Sequence, residues 1–371
     1  MKRVITLATS KTSVVLKDLL DNKCKIKAKY IPKFCLGLGL SMLFAPFRWV
    51  ESAAYHGRIK KAKVVAPVFV LGHWRTGTTF LQYMLGQDAR FSYITPLSSY
   101  GVNTGVFKKI IYGPLKQEVD NGREMDNMKW GIDKPYEEYI TFTLWSPYSS
   151  WLNMLYPKAS ERYLDHAFVD EMPAKFQKKW FRSYDKMLRK FVSQLPAGTH
   201  LLLKSPDVNA RVKYLSEVYP DAQFVNIYRN PYAVLRSTIH MMRIVFGYFA
   251  LQDAPTDAEL EDLVFYQFKR IYTKYFEDIK SIDPARIADL KFEDFERDPM
   301  PMLEQVYRRF GWDWEAAKPS VQAYWDSLAG YEKNVFDYEP RFIKRVNDEM
   351  GFYFEHYGYE MMPVPDQTIN A

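Results

Sequence analysis

The sequence is poor in cysteine: Cys24 and Cys35 are the only two in 371 residues. Two thiols cannot build a disulfide framework or a cysteine-rich zinc site. They read as small buried apolar side chains of a protein kept in a reducing, cytoplasmic setting. No cluster of metal-ligating residues occurs at a usable spacing, so no metal is expected. Long hydrophobic runs are missing too. The longest, residues 34–47, is shorter than the roughly 20 residues a spanning helix needs, and Pro46 closes it. It starts too far from the N-terminus to read as a signal peptide, and basic stretches surround it. There is no internal repeat, no low-complexity tract and no Gly/Ser linker. The reading is therefore a helical N-terminal extension over 1–63 and one domain over 64–371. Charge of one sign is not in large excess: 51 Lys and Arg against 44 Asp and Glu give 51 − 44 = +7. That surplus suits an anionic ligand. With no basic-aromatic RNA motif and no helix-turn-helix signal, nucleic acid is not an expected partner.

What the chain does have is an alternation of strand and helix patterns. Residues 64–71 (VVAPVFVL) form a β-branched apolar run that reads as a buried strand. A turn-rich segment comes next over 72–79, then a helix from 79 to 85. Residues 200–203 and 222–228 are again strand-like, with helical spacing over 208–219 between them. Pro231 opens another helix at a position where proline is favoured. A further strand is expected at 287–292, with helices over 256–279 and 302–310. A strand–helix–strand unit of this length implies parallel pairing with a right-handed crossover. The fold class is therefore α/β, with a P-loop-like central parallel sheet flanked by helices, and ligands at the carboxyl ends of its strands.

The loop after the first strand reads Gly72-His73-Trp74-Arg75-Thr76-Gly77-Thr78-Thr79. Its two glycines are spaced as in a Walker A loop, but Thr78 stands where a nucleoside-triphosphate loop has its lysine. That weakens the kinase and ATPase readings. What remains is a set of backbone N–H groups and hydroxyls at a helix N-terminus, with a permanent cation, Arg75, inside the loop. A second cationic turn, Tyr228-Arg229-Asn230-Pro231, comes after a strand, and Ser237 lies two helical turns beyond Arg229.

Together these segments resemble sulfotransferases that use 3′-phosphoadenosine 5′-phosphosulfate (PAPS) and release adenosine 3′,5′-bisphosphate (PAP). WRTGTTF, residues 74–80, looks like the 5′-phosphosulfate loop of that family, where the cytosolic branch has a lysine in place of Arg75. The Arg229–Ser237 spacing is similar to the family's 3′-phosphate site. Lys291-Phe292-Glu293-Asp294-Phe295 resembles a Tyr-Glu-Asp segment near the adenine, with Phe292 in place of the tyrosine. Phe80 falls where cytosolic members carry an adenine-stacking tryptophan. The cytosolic Arg-Lys-Gly phosphate motif is not visible, and Lys333-Asn334 stands as its substitute. The resemblance covers about residues 64–300 and is nearest the bacterial branch. There an Arg-x-Met-Asp segment (Arg123 to Asp126) precedes Pro-x-Glu-acidic (Pro135 to Glu138), and Leu-Lys-Ser-Pro (Leu203 to Pro206) is followed by Arg211.

The resemblance implies nucleotide contacts from Arg75, Thr76, Gly77, Thr78, Thr79, Phe80, Arg229, Ser237, Phe292 and Lys333. It implies a sulfuryl transfer that runs without metal. The chemistry needs a cation at the leaving oxygen, for which Arg75 and then Lys204 are the candidates, and a base for the acceptor hydroxyl. Glu137, Glu138 and His73 compete for that role. The two adjacent glutamates point in different directions on a helix, and the motif match favours Glu137. His240, one turn past Ser237, reads as packing or nucleotide contact. An aromatic-rich middle segment and the Met-rich stretch after Ser237 suit a hydrophobic alcohol such as a sterol, with carbohydrate as the alternative. Lys23, Lys25, Lys27, Lys29, Lys33 and Arg48 flank the apolar run. The segment reads as a helical hairpin packed on the body, with peripheral contact to an anionic membrane as its alternative.

Overall fold

The computed structural model describes residues 2–120, 131–196, 198–328 and 337–365. Five strands form one parallel sheet: β1 Val68–Leu71, β2 Phe91–Ser92, β3 His200–Lys204, β4 Gln223–Tyr228 and β5 Ile287–Lys291, in the order β2-β3-β1-β4-β5. The α/β reading with a central parallel sheet is met. Side chains alternate across each strand, and the sheet is apolar on both faces. Phe69 and Leu71 join Leu201, Leu203 and Phe224 in one core. Val68 and Val70 join Leu202, Val225 and Ile227 in the other. Helices cover both cores, as a buried parallel sheet requires.

The first strand starts four residues later than its sequence pattern suggests. Ala66 has a left-handed φ of 39°, and Pro67 has no N–H to donate to a ladder. The chain therefore enters the sheet only at Val68. The strand register sets the geometry of the site. Val70 lies opposite Lys204, and Leu71 lies opposite Asn226. The carboxyl ends of β3, β1 and β4 are thus level, and Lys204, the Gly72–Thr79 loop and Arg229 all emerge on one edge of the sheet. The helix Pro231–Phe249 comes after Arg229 and is capped by the Asn230 side chain, which accepts from Tyr232 N–H.

Four helices precede the sheet: α1 Lys2–Thr9, α2 Thr12–Asp21, α3 Ile31–Leu43 and α4 Ala45–Lys61. A fifth, α5 Thr78–Leu85, leaves the Gly72–Thr79 loop directly. Arg3 donates to the carbonyls of Ala250 and Gly247 (2.8 and 2.6 Å). The Asn103 amide donates to the Thr9 carbonyl, and Lys11 N–H to that of Leu144. These bonds sew α1 onto the body. Gly37 lets α3 reach it, since a Cβ there would lie 2.6 Å from Leu7 Cβ. Both cysteines depart from expectation: they are free and exposed. Cys24 sits in the turn after α2 with φ 55°, and Cys35 lies on the outer side of α3. The lysines on either side of Cys24 keep that turn at the surface, and the part of the apolar run that holds Cys35 faces outward.

Candidate active site

Two glycines shape the Gly72–Thr79 loop. Gly72 has φ +138°, and a Cβ there would meet Ile227 O and Thr76 Oγ1 at 2.6 Å. Gly77 has φ +102° and its Cα faces the Phe292 ring, which a methyl would penetrate. Gly77→Ala is accordingly expected to push Phe292 away and to abolish the nucleotide binding that the resemblance implies, measured by titration, with only a modest loss of melting temperature. Between the glycines, Thr76 N–H and Oγ1 both donate to His73 O (3.3 and 2.8 Å), folding the loop on itself. Gly77 is the N-cap of α5 and brings no side-chain cap, which leaves the helix N-terminus as an anion-favouring end.

Beneath the loop runs a polar strut that no motif in the sequence announces. Gly72 N–H donates to Asn209 Oδ1 (2.7 Å) and Asn209 Nδ2 to Asn226 Oδ1 (3.3 Å). Asn226 Nδ2 in turn donates to Asp289 Oδ1 (2.7 Å) and Tyr357 Oη (3.1 Å). Buried polar groups are kept only when partnered. The available signal is Asn226 within AQFVNIY and Asp289 within IADL, polar residues in otherwise apolar strands.

The two cationic turns meet. Arg75, at a left-handed φ of 69°, donates from Nε to Ser237 Oγ at 2.8 Å. Arg229 Nη1 donates to the Arg75 carbonyl at 3.1 Å. The Arg229 guanidinium lies 4.2 Å from the centre of the Phe292 ring, a cation–π geometry. Its backbone is held as well, because Tyr353 donates its hydroxyl to Arg229 O (3.0 Å) and Asn230 N–H donates to Glu293 Oε1 (2.9 Å). Burial lowers the proton affinity of Arg229, against the pull of Glu296 and Glu293. Arginine keeps its charge over the whole range of interest. Phe292 is thus packed under Arg229 and Gly77. Phe80 is half-buried against Phe295 (centroids 5.0 Å) and Trp325 (5.9 Å). Trp325 joins the site from a helix far along the chain, outside every motif. His240 has its pKa lowered by burial, with Arg243, Arg75 and Arg236 adding to the effect, so it belongs to this basic corner. Lys333, Asn334 and the Arg123–Asp126 segment lie outside the described residues, as does Trp130.

On the other side of the loop Lys204 is 2% exposed. Its ammonium pairs with Glu137 Oε1 and donates to Thr79 Oγ1 (3.2 Å). Glu137 has extended backbone just before the helix Glu138–Trp145 and remains partly open to solvent. Tyr139 also hydrogen-bonds its carboxylate. Glu138 points the opposite way and is wholly buried. Tyr184 lies at hydrogen-bond range (3.5 Å), and the buried Arg211–Asp207 ion pair is close by. Ser150 and Ser205 both donate to Asp207. Arg211, marked in the sequence for its place after Leu-Lys-Ser-Pro, therefore neutralises a buried aspartate.

Burial pushes the Glu138 carboxyl up to about 7, while Arg211 pulls it back. The raised carboxyl contributes stability that is full below its ordinary value of 4.5 and is lost as pH climbs through about 7. A tenfold change in proton affinity is worth about 1.4 kcal/mol. Glu138→Gln is therefore expected to be nearly neutral at pH 4 and to stabilise by on the order of 3 kcal/mol at pH 8. Thermal melts at the two pH values check this; equal effects at both would contradict it.

His73 is also enclosed. Its Nδ1 lies 3.2 Å from Trp74 O, its ring abuts Phe268 and Trp74, and burial pushes its pKa down to about 3. It is neutral at physiological pH and fully buried. Among the middle-segment aromatics, Trp74 stacks on Trp151 (5.6 Å) and Tyr139 meets Trp151 edge-on (4.8 Å), beside the loop and Glu137. Phe142 packs on Trp180 and Tyr184 in the core, and Met241, Met242 and Phe246 are core residues too. Among the described residues no group of three or more His, Cys, Asp or Glu is placed to hold a metal ion.

The loop thus stands at the edge of a parallel sheet and faces a second arginine–serine turn, the arrangement of an α/β fold with a cationic anion-binding corner. Residues 67–316 match the model of the sulfotransferase family, and the chain belongs to that family. It is 29% identical over 331 residues to the omega-hydroxy-beta-dihydromenaquinone-9 sulfotransferase Stf3 of Mycobacterium bovis and of Mycobacterium tuberculosis, across 88% of this chain and 81% of theirs. In fold it is similar to sulfotransferase STF9 from Mycobacterium avium (TM-score 0.68, 17% identity, 95% of this chain and 98% of that one). It is also similar to sulfotransferase STF1 from Mycobacterium tuberculosis (TM-score 0.63, 16% identity, 84% and 86%).

Proposed function

We propose that this sulfotransferase transfers the sulfuryl group of PAPS to the hydroxyl of a hydrophobic alcohol, a sterol or another lipid-like acceptor. The observation that carries the donor reading is the contact between the two turns: Arg75 on Ser237, and Arg229 on the Arg75 carbonyl. One molecule with phosphate groups at both ends of a nucleoside satisfies both. In this reading Arg229 and Ser237 hold the 3′-phosphate, and the loop from Arg75 to Thr79 and the α5 N-terminus hold the 5′-phosphosulfate. Phe80 and Phe292 lie near the base.

The reaction is an in-line displacement. The bond from sulfur to the phosphate oxygen breaks, a bond from sulfur to the alcohol oxygen forms, and PAP leaves with the bonding pair. Charge gathers on the leaving oxygen, where Arg75 and Lys204 supply cations. The hydroxyl proton passes to Glu137, which Lys204 and Tyr139 hold beside Thr79. Glu138 and His73, both enclosed, have no path to the acceptor. The acceptor class is supported by the Trp74–Trp151–Tyr139 wall next to Glu137 and by the hydroxylated menaquinone for which the Stf3 relatives are named. A nucleoside-triphosphate kinase is disfavoured by Thr78 standing in place of the loop lysine.

The test is transfer of label from PAPS to matched panels of steroid, lipid, phenol and sugar alcohols. Sulfated steroid or lipid products are expected. Transfer to sugars alone would overturn the acceptor class, and magnesium-dependent ATP turnover without PAPS turnover would overturn the donor. In melting experiments PAP at a hundredfold excess over its Kd should add about 2.7 kcal/mol. ATP with magnesium should add far less; an equal response would count against the 3′-phosphate site.

A further inference from the structure

We infer that the outer face of α3 and α4 is a docking surface for an anionic lipid bilayer. The inference extends the lipid-alcohol reading, on which its purpose rests: an acceptor dissolved in a membrane has to be met there.

The observation is an apolar stripe that none of the described residues covers. On α3 the exposed residues Pro32, Cys35, Leu36, Gly39 and Leu43 recur at helical spacing, while Phe34, Gly37 and Ser41 face inward. On α4 the exposed stripe continues through Phe47, Trp49 and Val50, the last two more than 70% exposed. No charged residue occurs between Lys33 and Arg48, and Arg48 itself is buried, donating to the Ala8 carbonyl. The neighbouring helix Gly105–Asp120 adds exposed Val106 and Ile110, joined to the junction of α3 and α4 through the Phe44–Phe107 contact at 4.5 Å. Isolated exposed apolar residues are ordinary, but a contiguous face of this kind marks an interaction site.

The charges choose the occupant. Exposed Lys23, Lys25, Lys29 and Lys33 precede the stripe, and exposed Arg58, Lys60, Lys61 and Lys63 come after it. The one acid over residues 22–63 is Glu51. It is turned away from solvent, with Oε1 on Lys190 (2.8 Å) and Oε2 accepting from Gly105 N–H (2.6 Å). The exposed acids nearest the rim are already paired, Asp253 with Lys27 and Asp21 with Lys17; an apolar strip with such a basic rim is the pattern of a helix lying in an anionic interface. Two copies meeting on this face would bring both basic rims together, which argues against self-association. Among the described residues no single helix is long and apolar enough to cross a membrane. The pair Ala28–Leu43 and Ala45–Lys61, bent by 41°, reaches that length and composition only together. The geometry points to a bent pair laid into one leaflet.

The experiment is flotation of the full chain with vesicles of phosphatidylcholine, and with vesicles of equal parts phosphatidylcholine and phosphatidylglycerol. Binding to the anionic vesicles, weakened by salt, is expected. The triple variant Leu43→Ser, Trp49→Ser, Val50→Ser alters only exposed side chains. It should keep its melting temperature and its transfer to a short, water-soluble alcohol, yet lose vesicle binding by about tenfold or more. Absence of binding to anionic vesicles would overturn the inference, as would a triple variant that floats like the native chain. So would a stable dimer in solution that dissociates in the variant. Flotation is read without PAPS, so a failed transfer assay leaves it untouched. Conversely, failed flotation leaves transfer to soluble alcohols standing.

Discussion

Arg75→Ala is expected to lower kcat for sulfuryl transfer by about a thousandfold or more, the scale of removing a preorganised charge from a developing oxyanion. Two features make the result readable. Arg75 occupies a left-handed φ of 69°, which costs alanine and arginine alike, so the backbone strain is the same in both proteins and folding should survive. The guanidinium also holds Ser237 at 2.8 Å. Its loss should therefore weaken PAP binding in a way that Ser237→Ala reproduces in part. Arg75→Lys should recover a measurable fraction of the rate, because a charge returns without the planar fork. Stopped-assay rates together with PAP titrations check this. Near-normal turnover in Arg75→Ala would remove the residue from the reaction.

Glu137→Gln carries the second large effect. Loss of a general base is worth about 10²- to 10⁴-fold in rate, with KM for PAPS little changed, since the proposed nucleotide contacts lie elsewhere. Gln retains the shape but cannot take a proton, and it no longer pairs with the ammonium of Lys204, which is 2% exposed. Removing one partner of a buried pair leaves the other uncompensated, so some stability will be lost as well. A Lys204→Met control separates the two. It should lose stability much as Glu137→Gln does, but less of kcat. A normal rate in Glu137→Gln would move the base elsewhere in the site.

The parts of this protein that are legible in its sequence are those where chemistry forces a pattern. A strand buried on both faces must be apolar throughout, so β1, β3 and β4 stand out. A loop that turns tightly against β4 needs glycine at 72 and 77, and both are there. The Arg229–Ser237 spacing places two side chains on one helix-turn face, and the fold brings Arg75 to them. Where the signal fails, tertiary context decides. Glu137 and Glu138 are alike as adjacent letters, yet one meets Lys204 and the other is enclosed beside Arg211, because the helix Glu138–Trp145 begins between them. His73 lies within the loop motif but turns inward onto Phe268. The Asn209–Asn226–Asp289 strut joins three segments far apart in the chain, and no local spacing records it. Composition suggests burial for Cys24 and Cys35, yet both lie exposed, Cys24 in a lysine-rich turn and Cys35 on the outward side of α3.

The central claim is that the Arg75 loop and the Arg229–Ser237 turn grip a single bisphosphorylated nucleotide. Calorimetric titration of the native chain with PAP and with adenosine 5′-phosphate, repeated on Arg229→Ala, examines it directly. PAP is expected to bind about a hundredfold more tightly than the monophosphate, and Arg229→Ala to erase this preference while leaving the weaker affinity nearly intact. Equal affinity of the native chain for the two nucleotides would contradict it.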